Sequence, residues 1–209
     1  MKRIGIVDYG VGNIRSITNA LMKFECVVTL SDLKEELLEC DGLILPGVGA
    51  FKHAMDKLKN KKLEHILKLY VESDKPFLGI CLGMQMLFEE SNEFGNSKGL
   101  GFIEGKVKKF EYQKDIKLPH IAWSSIINKN HVDYKNTILN NTNNYSEMYH
   151  VHSYYAEPQN KNNILSYSMY NDFKFCSTVK KNNIYGCQYH PEKSAKDGLK
   201  IIGNFVNLA

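Results

Sequence analysis

Residues 75–90 read KPFLGICLGMQMLFEE, with one cysteine, Cys81, set between glycines two positions to either side. Pro76 opens the apolar run Phe77 to Ile80, which reads as a buried strand. Leu82 to Glu90 are good helix formers with no breaker after Gly83, and the pattern predicts a helix there. Cys81 therefore stands at a strand-to-helix turn. So sharp a turn forces unusual backbone angles on its middle residue, and only hydrogen-sized neighbours at Gly79 and Gly83 let strand and helix close around it. This is the shape of a nucleophile elbow. A structural cysteine packed as a small hydrophobe would fit the same turn, so the rest of the chain has to decide between them.

Upstream of the elbow, strand and helix signals alternate: RIGIVDYG, NIRSITNALMKF, CVVTL, DLKEELLE, DGLILPG and then FKHAMDKLKNKKLEHILKLYVES, read as one helix. This order predicts a mostly parallel central sheet with right-handed crossovers and helices on both faces. Ligands on such sheets bind beyond the carboxyl ends of the strands. Three segments converge on that edge: residues 8–13, residues 46–49 and the elbow. From residue 103 the character changes to short strand-like runs, IEGKVKKFEY, EMYHVHSYYAE, FKFCSTVKK and IYGCQYH, before a closing helix over AKDGLKIIGNFVNL. These four runs are expected to extend the same sheet in antiparallel fashion, within a single domain over 1–209. The asparagine-rich stretches NKNHVDYKNTILNNTNNY and NKNN read as surface loops, and the lysines of KLKNKKLEHILKLY as a solvated helix face.

The totals narrow the function. With 209 residues the chain can bury one sizeable core. Its net charge of +4 comes from 27 basic and 23 acidic residues spread along the sequence, with no patch of the kind nucleic acid requires. No apolar stretch approaches a membrane span, and KRIGIVDYG begins without a leader-like segment, so a cytoplasmic protein is expected. Five cysteines, odd in number and without C-x-x-C spacing, read as free thiols.

A catalytic cysteine needs a base, and the base needs an orienting carboxylate. Of seven histidines, His190 ends the expected strand IYGCQYH and is followed by Pro191 and Glu192. Proline stops the strand, and residues two apart on extended backbone project to one side, so Glu192 is expected to reach the ring of His190. A surface ion pair in a turn would give the same H-P-E triplet. Together with the elbow it reads as a triad in which His190 and the helix N-terminus favour the Cys81 thiolate. His150 and His152 alternate along a strand, but no further ligand spacing accompanies them, and no metal is expected.

LGICLGMQ, YGCQYHPEKS, LPGVGAF and VDYGVGN, in their spacing, resemble the class I, or triad, glutamine amidotransferases, most closely the glutaminase subunits of imidazole glycerol phosphate synthases. LPHIAW and YHVHSYY fall where those subunits carry similar runs, with Ala122 in place of a usual glycine and Ser124 in place of a usual asparagine. The resemblance spans Val7 to Phe205. It implies a flavodoxin-like α/β fold and no cofactor. Cys81 becomes the nucleophile on L-glutamine, His190 the base and then acid, and Glu192 its orienting carboxylate. Leu82 and either Val48 or Gly49 become the oxyanion-hole amides, and Gly47, Gln85, Glu93, Ser153 and Tyr154 the glutamine-binding set. Asn13, His120, Trp123 and Lys193 are placed at the interface with a (β/α)8 cyclase. A paralogue feeding a different synthase, or a stand-alone cysteine hydrolase, is the alternative.

Overall fold

The computed structural model describes residues 1–110, 117–129 and 132–209. Its first half contains β1 (Lys2–Val7), α1 (Ile14–Leu21), β2 (Cys26–Ser31), α2 (Lys34–Glu39), β3 (Gly42–Leu45), α3 (Phe51–Asn60), α4 (Leu63–Glu72), β4 (Phe77–Ile80) and α5 (Leu82–Met86). There follow β5 (Phe88–Ser91), β6 (Ser97–Lys98), β7 (Ile103–Lys109), β8 (His120–Ser125), β9 (Ile127–Asn128), β10 (Glu147–His152) and β11 (Tyr154–Pro158). The chain closes with β12 (Ile164–Tyr170), β13 (Phe173–Lys181), β14 (Ile184–Cys187) and α6 (Ala195–Leu208).

Eight strands form the main sheet in the order β2-β1-β3-β4-β14-β13-β12-β9. The strands from β2 to β14 run parallel, and β13, β12 and β9 continue antiparallel. Successive side chains of a strand point to opposite faces, and here they fill two separate cores. Leu43, Leu45 and Phe77 pack with α2 to α5 on one face. Ile44, Leu78 and Ile80 pack with α1 and α6 on the other. Each fully buried aliphatic or aromatic side chain contributes roughly 1.5–3 kcal/mol, so the sheet is held from both sides. Among the described residues no helix is long and apolar enough to cross a membrane.

Several expectations need correction. The helix expected over 51–73 is two helices, broken where Lys62 takes a left-handed φ of 58°. At about 100° per residue, the apolar stripe of Leu63, Ile66, Leu67 and Tyr70 lies roughly 120° around from that of Phe51, Ala54, Met55 and Leu58, so one straight helix could not bury both. The helix expected through Glu90 stops at Met86. Phe88–Ser91 instead pairs with β6 and β7, because burying Phe88 and Ser91 between strands outweighs helix propensity.

Of the four later runs, FKFCSTVKK extends the main sheet antiparallel, whereas IYGCQYH forms a strand only through Cys187 and lies parallel to β4. The run EMYHVHSYYAE splits at Ser153. Its first half pairs with β8 in a two-stranded ribbon, and its second half joins β7, β5 and β6 in a separate four-stranded sheet. Glu111 and Tyr112, expected to end the IEGKVKKFEY strand, lie outside the described residues, as do Asn130 and His131 of the first asparagine-rich stretch. That stretch is not only surface: Ile138 and Leu139 are fully buried in the second core.

The close approach on which the sheet centre depends is at Gly83, where a Cβ would stand 1.9 Å from the Leu45 carbonyl oxygen. Backbone on both sides leaves no side chain to yield. Gly83→Ala is expected to destabilise the protein by on the order of 3 kcal/mol, read as a lowered midpoint in thermal unfolding. An unchanged midpoint would show that α5 is free to lift away from β3.

Candidate active site

Cys81 is the N-terminal cap residue of α5, with φ 55° and ψ −111°. A non-glycine residue there is strained by on the order of 1–3 kcal/mol and is held only where its surroundings over-determine it. The Cys81 N–H donates to the Cys187 carbonyl at 2.8 Å, and its own carbonyl accepts from Gln85 N–H at 3.2 Å. These bonds tie the turn to β14 and to the helix. The side chain is 6% exposed and opens into a cavity of about 280 Å3, a volume suited to a molecule of amino-acid size.

β14 lies directly beside β4, with Gly186 opposite Gly79 and Cys187 opposite Ile80. The chain leaving β14 therefore brings His190 to the cavity that Cys81 lines. A 3-10 turn over Pro191–Lys193, rather than extended backbone, folds Glu192 back onto the ring. His190 Nδ1 lies 2.9 Å from Glu192 Oε1, with both side chains essentially inaccessible to water. Because a carboxylate accepts, Nδ1 carries the hydrogen and Nε2 is left for the cavity, buried and without a partner. Burial pushes the His190 pKa down, but the negative charge of Cys81 beside the ring, and then the hydrogen bond and charge of Glu192, raise it to about 10. The arrangement favours a protonated imidazole beside the Cys81 sulfur.

Val48, Gly49, Leu82, Gln85, Glu93, Ser153 and Tyr154 all line the same cavity, joined by Pro119, Val151 and His152. Gly49 has φ +88° with open space where a Cβ would stand, so the loop after β3 has room to present its amides. Gly47 does not line the cavity; it packs against the Gly83 amide and Leu82. Glu93 accepts the Phe51 N–H at 2.6 Å, satisfying a free amide at the start of α3. Gln85 is buried rather than on the surface, and donates to the Tyr154 carbonyl at 2.9 Å and to Gln188 Oε1 at 3.0 Å. The sequence reading missed Gln188, whose Nε2 lies 3.9 Å from Cys81 Sγ. The signal was present, since Gln188 stands two residues before His190.

The four residues expected at a partner surface separate. Lys193 is exposed, and Trp123, 48% exposed, packs its ring edge-on against Tyr149; the two share a shallow groove beside α1 and α6. Asn13 turns inward, and its side-chain amide donates to Glu192 Oε1 at 2.9 Å. His120 is a correction: it is fully buried, stacked on Tyr170 and His150, and no surface residue at all. Among the described residues no three His, Cys, Asp or Glu side chains are arranged to hold a metal ion. All five cysteines are free.

The family model for glutamine amidotransferase class-I matches residues 5–208. The chain is 48% identical over 206 residues to imidazole glycerol phosphate synthase subunit HisH of Methanocaldococcus jannaschii, covering 98% of this chain and 99% of that protein. It is 43% identical over 205 residues to the protein of the same name from Bacillus cytotoxicus, covering 98% of this chain and 94% of that protein. Among solved structures, PurLQS from Thermotoga maritima superposes with a TM-score of 0.74 at 19% identity, covering 99% of this chain and 98% of that one. The glutaminase domain of Trypanosoma brucei CTPS, solved with bound acivicin, gives 0.65 at 15% identity, covering 100% and 95%. The structural matches speak for the fold, and the full-length sequence matches for the family. With its cysteine elbow on β4 and its histidine and glutamate after β14, the chain belongs to the class-I glutamine amidotransferases.

Proposed function

We propose that this chain is the glutaminase subunit of an imidazole glycerol phosphate synthase. It hydrolyses L-glutamine to glutamate and passes the ammonia to a (β/α)8 cyclase, its partner in a heterodimer. The cyclase uses it to form imidazole glycerol phosphate and an aminoimidazole carboxamide ribonucleotide in histidine biosynthesis. The observation that carries the reading is that Cys81 and His190 line one cavity, with Glu192 bonded to the far side of the His190 ring, on a chain matched end to end by proteins of that name.

The chemistry follows from the geometry. The Cys81 thiolate attacks the side-chain amide carbon of glutamine, and the S–C bond forms as the C=O electrons move to oxygen. Collapse of this tetrahedral intermediate breaks the C–N bond while His190 Nε2 delivers its proton to the departing nitrogen. Glutamate leaves after the now neutral His190 draws a proton from water, whose oxygen attacks the thioester and displaces the thiolate. Glu192 keeps the imidazole in the required tautomer and supports its positive charge. Each oxyanion requires two donors; the Leu82 amide at the helix start supplies one, and the Val48 or Gly49 amide the other, with one such donor worth about 2.7–4 kcal/mol.

Cys81→Ala is expected to fold and to lose at least about 10³-fold in glutamine hydrolysis, measured as glutamate release with the cyclase partner and its nucleotide substrate present. Activity within a few-fold of the unmutated protein would remove Cys81 from the nucleophile's place.

The same substitution tests the electrostatics. Without the sulfur, burial is opposed by Glu192 alone, so His190 should titrate at a lower pH than the value of about 10 it reaches beside Cys81. With a folded pKa raised from 6.5 to about 10, protonated His190 adds stability that is full below about pH 6.5 and is lost as pH rises through about 10. Cys81→Ala should narrow that window. Imidazole NMR across the titration reads the midpoint directly, and one unmoved by the substitution would rule out a thiolate-imidazolium pair.

Partner dependence tests whether the chain works as part of a synthase. The isolated protein is expected to hydrolyse glutamine slowly and to accelerate by orders of magnitude on adding the cyclase with its nucleotide substrate, because the open loop at Val48 and Gly49 can switch its amide direction at little cost. Lys193→Ala should weaken binding or activation while leaving the unfolding midpoint unchanged. Full activity alone, with no stimulation by a cognate cyclase, would favour a stand-alone hydrolase.

A further inference from the structure

We infer that Ser124, His120 and His152 form a hydrogen-bond relay of fixed direction, which positions the Tyr154 carbonyl and through it Gln85 in the glutamine pocket. The role assigned to the relay rests on the functional reading above.

β8 and β10 are antiparallel with His120 opposite His152. Ser124, four residues along β8 from His120, shares its face of the strand. The contacts are His120 Nδ1 to His152 Nε2 at 3.2 Å, His120 Nε2 to Ser124 Oγ at 3.0 Å, and His152 Nδ1 to the Tyr154 carbonyl at 2.8 Å. Both rings are buried against Phe175, with Tyr170 stacked 4.0 Å from His120 and Phe110 beside His152. Burial lowers the pKa of His120 to about 4 and holds that of His152 well below the ordinary histidine value, so at neutral pH each ring carries one hydrogen.

One fixed acceptor then sets every tautomer. The Tyr154 carbonyl can only accept, so His152 Nδ1 carries the hydrogen and its Nε2 accepts. His120 Nδ1 must therefore donate, and its Nε2 accepts from the Ser124 hydroxyl. Reversing any link would set two acceptors, or two donors, face to face among buried side chains, at about 1–3 kcal/mol for each group left unpaired.

The same Tyr154 carbonyl accepts from Gln85 Nε2 at 2.9 Å. The second hydrogen of that amide goes to Gln188 Oε1, and Gln188 reaches the Cys81 sulfur at 3.9 Å. Polar contacts thus run unbroken from β8 to the nucleophile. His150 stands outside the relay: its Nδ1 is spent on the Met148 carbonyl, its Nε2 has no partner, and its ring stacks 5.2 Å from His120. Ser124 and His120 are positioning residues; neither lines the cavity.

The test pairs each break with a repair. Ser124→Ala and His120→Leu remove links, whereas Ser124→Asn and His120→Asn keep an amide donor where the relay needs one. In the complex with the cyclase, the two breaking variants are expected to raise the KM for glutamine roughly five-fold with kcat within about two-fold, as the loss of one neutral hydrogen bond implies. The two asparagine variants should stay near the unmutated KM. A purely structural role would lower the unfolding midpoint and kcat together and would not be repaired by asparagine, and that pattern overturns the proposal. Nitrogen NMR of the imidazoles at pH 7 provides a reading independent of activity: neutral Nδ1–H tautomers at both His120 and His152 support the relay, and an Nε2–H tautomer at His152 overturns it. A complex that neither binds nor hydrolyses glutamine would overturn the functional reading together with the relay's role. Opposite tautomers in an active complex would overturn the relay alone.

Discussion

The backbone contact between Gly83 and the end of β3 is the constraint from which the site follows. Because α5 starts almost in contact with the Leu45 carbonyl, the residue between β4 and α5 has no room to relax, and Cys81 is held at φ 55°. Strain of that kind persists only where surrounding structure enforces it. Here the enforcement comes from β4 lying between β3 and β14. Those same neighbours complete the site: β3 leads into the loop bearing Val48 and Gly49, and β14 leads to His190 and Glu192. Three adjacent parallel strands thus end in the proposed oxyanion donor, the nucleophile and the base; the α/β alternation dictates the crossover that sets β3 beside β4, whereas β14 returns to β4 from the antiparallel half of the sheet.

The triad is maintained against a desolvation cost. Glu192 is a buried carboxylate with one oxygen, Oε2, lacking any partner, while Oε1 accepts from both His190 and Asn13. A buried charge is tolerable only when paired and hydrogen-bonded, and Asn13 supplies the second bond. Asn13 is also the residue before α1, a position where its side chain would ordinarily cap the helix, yet it makes no capping bond. An amide that would add on the order of 1 kcal/mol to helix stability is turned instead toward the carboxylate behind the base. His190 in turn has both its backbone groups fixed, its N–H by the Tyr149 carbonyl and its C=O by Ser194 Oγ and the Lys193 N–H. The ring can gain and lose a proton without losing its place.

What the sequence made legible was local. The elbow could be read because a cysteine between two spaced glycines, with an apolar run before it and helix formers after it, has few other interpretations. The αL break at Lys62 was legible in principle too, since the apolar stripe rotates between Leu58 and Leu63. The adjacency of β4 and β14, 109 residues apart at their active residues, has no local signature; the chemistry of the H-P-E triplet paired its histidine with the elbow cysteine, but not the strands that carry them. The burial of His120 was hidden for the same reason, because its environment consists of Tyr170, Phe175 and His150 from other strands. Gln188 was overlooked although period-two spacing from His190 pointed to it. The end of α5 at Met86 depended on a pairing with β7 that helix propensity cannot anticipate.

The β8–β10 ribbon carries this difference between its two faces into the function. Along β8, His120 and Ser124 point inward to the histidine pair, whereas Ile121 and Trp123 point out, 58% and 48% exposed. Large apolar side chains left side by side on one face of a ribbon cost solvation, and they suit a surface that a partner covers. In the heterodimer proposed here, a cyclase seated on Ile121 and Trp123 would press on the ribbon whose inner residues hold the Tyr154 carbonyl. Lys193, in the turn that carries Glu192, borders the same groove as Trp123. Docking and glutamine positioning would then be two faces of one strand. The substitution of serine for the usual asparagine at 124 preserves a donor to His120, so this departure from the family pattern leaves the inner face chemically intact.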